Sequence, residues 1–182
     1  MIHIFIDGGF FNRNYPSFFS KGGKLSTLKA NIENSLNTDS KVFYYFPPPY
    51  VHNPRTLTDS YLQKRYYKLK NALQKEKDVF FISDGKTLEL QCDNCGHKFY
   101  KQKEVDVQIA IDMLEMYYDS ENQMRSLCLI AGDQDFCPAI SLLKNKGVKI
   151  LIPTGENVAR KLLYLSDTEN FDLKPLLGIT LP

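Results

Sequence analysis

The sequence predicts an α/β fold with a mostly parallel central sheet, and three observations carry that reading. Apolar runs of four to seven residues alternate with longer segments of helical period, as when strands are joined by crossover helices. The runs are rich in Ile, Val, Phe and Tyr, the composition of strands covered on both faces. The 182 residues, 43% hydrophobic and 24% charged, suffice for one sizeable core. A single domain over 1–182 is expected, with an inserted excursion at about 84–102.

The chain opens on the alternation Ile2 to Asp7, a strand that ends where Asp7-Gly8-Gly9 turns. His3 on this strand reads as a satisfied packing residue. Leu25 to Leu36 has helical period, and Val42 to Phe46 reads as the next strand, ended by an extended, exposed Pro47-Pro48-Pro49 run before Tyr50. A helix is expected over Asp59 to Lys75 with Thr58 as its cap, then a strand over Val79 to Ser83. Asp84 to Gln102 breaks the rhythm and holds a cysteine pair. The following helix, Val105 to Tyr118, lines up Val105, Ile109, Met113 and Met116 in one apolar stripe. The strand Leu127 to Gly132 leads to a helix over Phe136 to Lys146, with Pro138 in its first turn and Gly147 beyond its end. A strand over Val148 to Pro153 and a helix over Glu156 to Leu165 complete the pattern.

Lys and Arg number 23 against 21 Asp and Glu, a net charge of +2, which excludes a histone-like polycation and an acidic tail protein. The distribution is uneven: residues 1–103 hold 16 basic and 9 acidic side chains, residues 104–182 hold 7 and 12. Runs such as Leu127 to Ala131 fall far short of the roughly 20 apolar residues of a membrane helix. The opening Met-Ile-His-Ile-Phe-Ile-Asp has neither a cationic start nor a small-residue cleavage site, so a reducing cytoplasm is the expected compartment.

Asp7 and Asp133 stand at the carboxyl ends of two strands, the edge where parallel α/β sheets bind ligands. Asp106 lies in the first turn of a helix, and Asp135 two residues past Asp133. Any one of them alone reads as a turn or helix-cap residue. Four carboxylates brought together repel one another, and a hard divalent cation is the usual reason to tolerate that. Asp112 lies about 600° of helix rotation past Asp106, so the two do not share a face; it is a supporting candidate.

These residues resemble a family. Phe5-Ile6-Asp7-Gly8-Gly9-Phe10-Phe11, Lys103 to Met113 with Asp106 and Asp112, and Ala131-Gly132-Asp133-Gln134-Asp135-Phe136 are together similar to the motifs of NYN domains of the PIN-like nuclease superfamily, including their limkain-type bacterial relatives. A weaker likeness runs through Val148 to Pro153 and Ser166-Asp167 to Phe171. The resemblance implies a three-layer αβα sandwich with a metal-dependent ribonuclease site at the carboxyl edge of its sheet. Asp7, Asp106, Asp133 and Asp135 match the family's acidic positions and would hold Mg²⁺ or Mn²⁺, which would generate a nucleophile from water and stabilise charge on the phosphate. One position departs: many members have Asn three residues after the first Asp, where this chain has Phe10, with Asn12 close by. A haloacid-dehalogenase-type phosphatase would want Asp-x-Asp at the first strand, and a Toprim-like site a Glu there. A non-catalytic module that binds RNA or recruits a partner is the alternative on the same fold.

Residues 41–77 hold eight basic side chains against two acids, with Tyr61, Tyr66 and Tyr67 interleaved among Lys64, Arg65 and Lys68. Such a surface tracks phosphates and stacks unpaired bases, which suits single-stranded RNA; a solvated helix with its tyrosines in the core is the competing reading. Arg13, Arg55 and Lys103 are further candidate contacts. Cys92-Asp93-Asn94-Cys95-Gly96-His97 has the turn of a zinc knuckle. Cys92, Cys95 and His97 make an incomplete set for structural Zn²⁺, since a closed site needs four ligands, and a metal-free hairpin is the alternative. The remaining ligands would come from another loop, water or a neighbouring chain, which leaves a homodimer open.

Overall fold

A computed structural model describes residues 1–119, 124–169 and 171–178; Asn170, within the last stretch of family likeness, lies outside them. In chain order the elements are β1 (Ile2–Asp7), α1 (Gly8–Asn14), α2 (Leu25–Leu36), β2 (Ser40–Tyr45), α3 (Leu57–Leu73) and β3 (Val79–Ile82). Then come β4 (Lys86–Gln91), β5 (Lys98–Lys103), α4 (Val105–Tyr118), β6 (Ser126–Ile130), α5 (Cys137–Asn145), β7 (Lys149–Leu151) and the short α6 (Arg160–Leu163). Five strands form one parallel sheet in the order β3-β2-β1-β6-β7, and β4 and β5 form a separate antiparallel hairpin.

The alternation in β1 decides the layers. Ile2, Ile4 and Ile6 pack on one face against Phe11 of α1, Leu25, Leu28 and Ile32 of α2, and Tyr66 and Leu73 of α3. Phe5 points to the other face, against Val105, Ile109 and Met113 of α4 and Ile140 and Leu143 of α5. Helices therefore cover both faces of a parallel sheet, the three-layer αβα arrangement.

Several local expectations need correction. Helix α3 begins two residues early because Thr56, rather than Thr58, closes a capping box: its hydroxyl accepts from Asp59 N at 3.1 Å and the Asp59 carboxylate accepts from Thr56 N at 2.8 Å. The helix expected over Glu156 to Leu165 shrinks to α6. Asn157 adopts a left-handed φ of 64°, and the Ala159 N–H donates to Gly132 O at 2.9 Å, which ties the chain to the loop after β6 instead of letting it coil. Within the proline run only Pro48 is exposed, and Pro47 is buried. The excursion contains the β4–β5 hairpin, unrecognised as strands because it lacks the Ile- and Val-rich runs of the sheet strands and buries none of its residues. His3 is not satisfied: its buried Nδ1 has no hydrogen-bond partner, and burial, with Lys41 beside it, pushes its pKa down to about 4, which keeps the ring neutral against Phe43.

Candidate active site

After β1 the chain builds outward through β2 and β3, then returns to lay β6 on the other side of β1. The connections leaving β1 and β6 go to opposite faces, α1 to one and α5 to the other. Such a reversal opens a crevice at the strands' carboxyl ends. Asp7 is the last residue of β1, and Asp133 follows β6 through Ala131 and Gly132.

Asp7 caps α1. Its Oδ1 accepts from Gly9 N at 2.8 Å and Phe10 N at 3.1 Å, which leaves Oδ2 for a ligand. Burial, followed by the charge of Asp106, outweighs those amides and Arg13 and lifts the Asp7 carboxyl to about 6. The tight exit from β1 requires glycine next: a Cβ on Gly8 would lie 2.6 Å from Tyr45 O and 2.9 Å from the Tyr44 ring. Desolvation also raises the pKa of Asp106, with Asp133 and Asp135 adding to the shift and Lys101 opposing it. Asp133 Oδ1 accepts from Asp135 N at 3.0 Å, so this aspartate shapes its own loop while both carboxylates remain exposed. The four aspartates thus share one electrostatic neighbourhood.

Asp112 faces elsewhere, as its helical offset from Asp106 requires. Its Oδ2 accepts from the Tyr45 hydroxyl at 2.7 Å and its Oδ1 from Gln108 Nε2 at 2.6 Å. Tyr45 pairs with Asp7 in the sheet register, so this bond fixes α4, and Asp106 with it, relative to the strand beside Asp7. Asn12 sits on α1 beside the buried Tyr44 hydroxyl without a well-formed hydrogen bond. Phe10 packs over Gly132, where a Cβ would meet its ring at 2.5 Å and Asn157 O at 2.4 Å. The departure at position 10 therefore joins the two loops by packing.

Hard carboxylate oxygens that repel one another suit Mg²⁺ or Mn²⁺ chemically. Among the described residues, however, no three His, Cys, Asp or Glu side chains converge to hold one metal ion. The arrangement fits an ion held by one or two carboxylates with water and substrate phosphate, the ordinary habit of Mg²⁺.

The basic candidates divide. Arg13, in the last turn of α1, acts on Asp7. Lys64, Arg65 and Lys68 are exposed on α3 with Tyr61 and Tyr67, while Tyr66 is in the core. Arg65 lies over the Tyr61 ring at 5.7 Å. They belong to the face of the sheet opposite α4. Arg55, in the loop before α3, and Lys103, at the end of β5, are exposed. Three residues near the acids escaped the sequence reading. Lys101 of β5 acts on Asp106, Gln102 places its Oε1 where a Gly9 Cβ would be only 2.5 Å away, and Lys161 of α6 acts on Cys137 alongside Asp133 and Asp135. The alternation Thr87-Leu88-Glu89-Leu90-Gln91, which calls for a partner strand nearby in sequence, was the available signal for the first two.

Cys92 and Cys95 lie at the hairpin tip, where Cys92 N donates to His97 O at 2.9 Å and Gly96 N to Cys92 O at 2.8 Å. The exposed His97 does not join them as a third ligand.

The family model of the NYN domain matches residues 55–171. The chain belongs to the NYN domain family. The match covers Asp106, Asp133 and Asp135 and begins after β1 and β2, which are nonetheless hydrogen-bonded into the same sheet. NYN domains have a PIN-like nuclease fold and are generally nucleases, typically with divalent metals. No curated protein matches this NYN chain. Among its described residues no helix is long and apolar enough to cross a membrane.

Proposed function

We propose that the protein is a metal-dependent ribonuclease that hydrolyses phosphodiester bonds within single-stranded RNA. The observation that carries this reading is the placement of Asp7, Asp106, Asp133 and Asp135 at the switch between β1 and β6, where burial first, and then the charges of Asp133 and Asp135, raise the pKa of Asp106. A hard divalent ion held there would supply a nucleophile from water and charge stabilisation at the phosphate. The chain's own residues do the rest. Asp7 presents Oδ2 while its other oxygen stays fixed by the α1 amides. Asp112 and Tyr45 hold Asp106 in register. Lys101 and Arg13 place positive charge beside the carboxylates, where a phosphate would otherwise be repelled. The exposed Tyr61, Tyr67 and basic side chains of α3 would attract and stack the strand farther out.

The second reading, a non-catalytic RNA-binding or partner-recruiting module, needs no ion and is compatible with the same site, where among the described residues no three carboxylates converge on one point. Labelled single-stranded RNA, incubated with Mg²⁺ or Mn²⁺, decides between them. The enzyme cuts it, stops on addition of EDTA, and loses cleavage in Asp133→Asn at an unchanged melting temperature. Binding without cleavage under either ion establishes the module. A matched DNA strand in the same assay shows whether the 2′-OH is required.

A further inference from the structure

The cysteine pair has no part in the nuclease reading, and its surroundings are those of a ligand site. Cys92 and Cys95 stand on one tight turn at the hairpin tip, closed by the bonds from Gly96 N to Cys92 O and from Cys92 N to His97 O. Gly96, at a φ of 69°, makes the tight return after the second cysteine. A Cys-x-x-Cys-Gly turn closed in this way keeps two thiol side chains together, the pairing that a borderline-soft cation takes.

The hairpin that carries the pair lacks other support at its far end. Neither β4 nor β5 has a buried residue, and a two-stranded hairpin without a core is marginal in water. Its lower part is tied down: His52 Nε2 meets Glu89 Oε2 and the Tyr100 hydroxyl, each at 3.1 Å, and Thr87 Oγ1 donates to Pro48 O at 2.8 Å. Among the described residues no such bond ties the segment from Cys92 to His97 to the body.

Two thiolates are half of a tetrahedral set, and among the described residues no third His, Cys, Asp or Glu stands with them. The chain's other cysteines are Cys128, fully buried in β6, and Cys137, which starts α5 beside Asp133 and Asp135. Of its three histidines, His3 is buried in the sheet, His52 is held between Asp59 and Glu89, and His97 does not join the pair. Every cysteine and histidine of the sequence is among the described residues. A neighbouring chain can supply the missing ligands. Asp93, Asn94, Cys95, Gly96 and His97 are all exposed, and a second copy offers an identical pair about a two-fold axis, a self-complementary contact.

We propose that the hairpin tips of two copies share one Zn²⁺, bound by Cys92 and Cys95 of each, so that the ion joins the chains and closes both tips. Binding releases the thiol protons and involves no oxidation or reduction.

The test uses the reduced 182-residue protein freed of metal and then supplied with Zn²⁺ or Co²⁺. Elemental analysis is expected to give one ion for two chains. The Co²⁺ form should show the intense visible bands of tetrahedral thiolate coordination, and sedimentation equilibrium should give a dimer that EDTA returns to monomer. Cys92→Ser and Cys95→Ser should each abolish the bands and the dimer while helix content by circular dichroism is unchanged. Absence of bound metal, one ion per monomeric chain, or a dimer that persists without metal or in the serine variants overturns the proposal. These readouts are independent of RNA cleavage.

Discussion

Asp7 meets opposing demands. As a helix cap it accepts two amides, yet burial lifts its pKa to about 6, so its charge opposes folding whenever no cation neutralises it. The sign follows from linkage: the folded pKa lies above the ordinary carboxylate value, so stability is full below that value and declines as pH rises to about 6. Without divalent ions, Asp7→Asn, which keeps a capping oxygen, should therefore be more stable than wild type by on the order of 2 kcal/mol at pH above about 7. The gain should vanish toward about pH 4, and RNA cleavage should be lost. Thermal melting across pH checks the first part and gel assays the second. The Tyr45 hydroxyl, whose pKa is raised first by burial and then by its bond to Asp112, offers a complementary case. Tyr45→Phe should cost about 1–3 kcal/mol, measured by denaturant unfolding, and should weaken cleavage through looser placement of α4. Gly8→Ala should cost a similar amount, about 1–3 kcal/mol, because its methyl group meets the rigid β2 backbone.

At the scale of elements, the hairpin is clamped to the body by His52, with Nδ1 on Asp59 at 2.9 Å and Nε2 on Glu89 at 3.1 Å. Hydrogen bonding to Asp59 raises the His52 pKa, and the bonds from Thr56 and His52 hold Asp59 below the usual carboxylate range. The His52 contribution is complete below its ordinary pKa and is lost as pH rises through the elevated value; the Asp59 contribution is lost in acid. Amide exchange in β4 and β5, compared between wild type and His52→Gln, should therefore differ most at about pH 6 and converge by about pH 9. The elements differed in how far they could be read from sequence. Ile2–Asp7, Leu25–Leu36 and Val105–Tyr118 have the expected bounds because each presents a regular apolar face to a layer. The hairpin presents none, and the stretch before α6 is shaped by a bond to Gly132 that only the folded chain creates. The aspartates were legible for a related reason: strand ends and first helical turns can be located in a sequence. Lys101, Gln102 and Lys161 reach the acids from other elements, and only tertiary structure brings them there.

At the scale of the molecule, the imbalance between the halves of the chain maps onto the sheet. Strands β1, β2 and β3 come from the basic first half, and β6 and β7 from the acidic second half. The boundary runs between β1 and β6, along the proposed crevice, with the α3 cations to one side. Association with single-stranded RNA should accordingly weaken with salt, and Lys64→Ala and Lys68→Ala should each reduce the slope of log affinity against log salt by roughly one. The expected signature is a higher KM with kcat little changed, read from cleavage at several ionic strengths.

The pairing of Ile2 with Ser126 across β1 and β6 also bears on when the crevice can exist. Contacts between segments so distant in sequence form late in folding. On the ribosome, β1 waits for most of the chain to emerge before its neighbour arrives. A nascent or truncated chain that ends before β6 carries Asp7 but no crevice, so a protein that cuts RNA would be inert while still tethered to the RNA that encodes it.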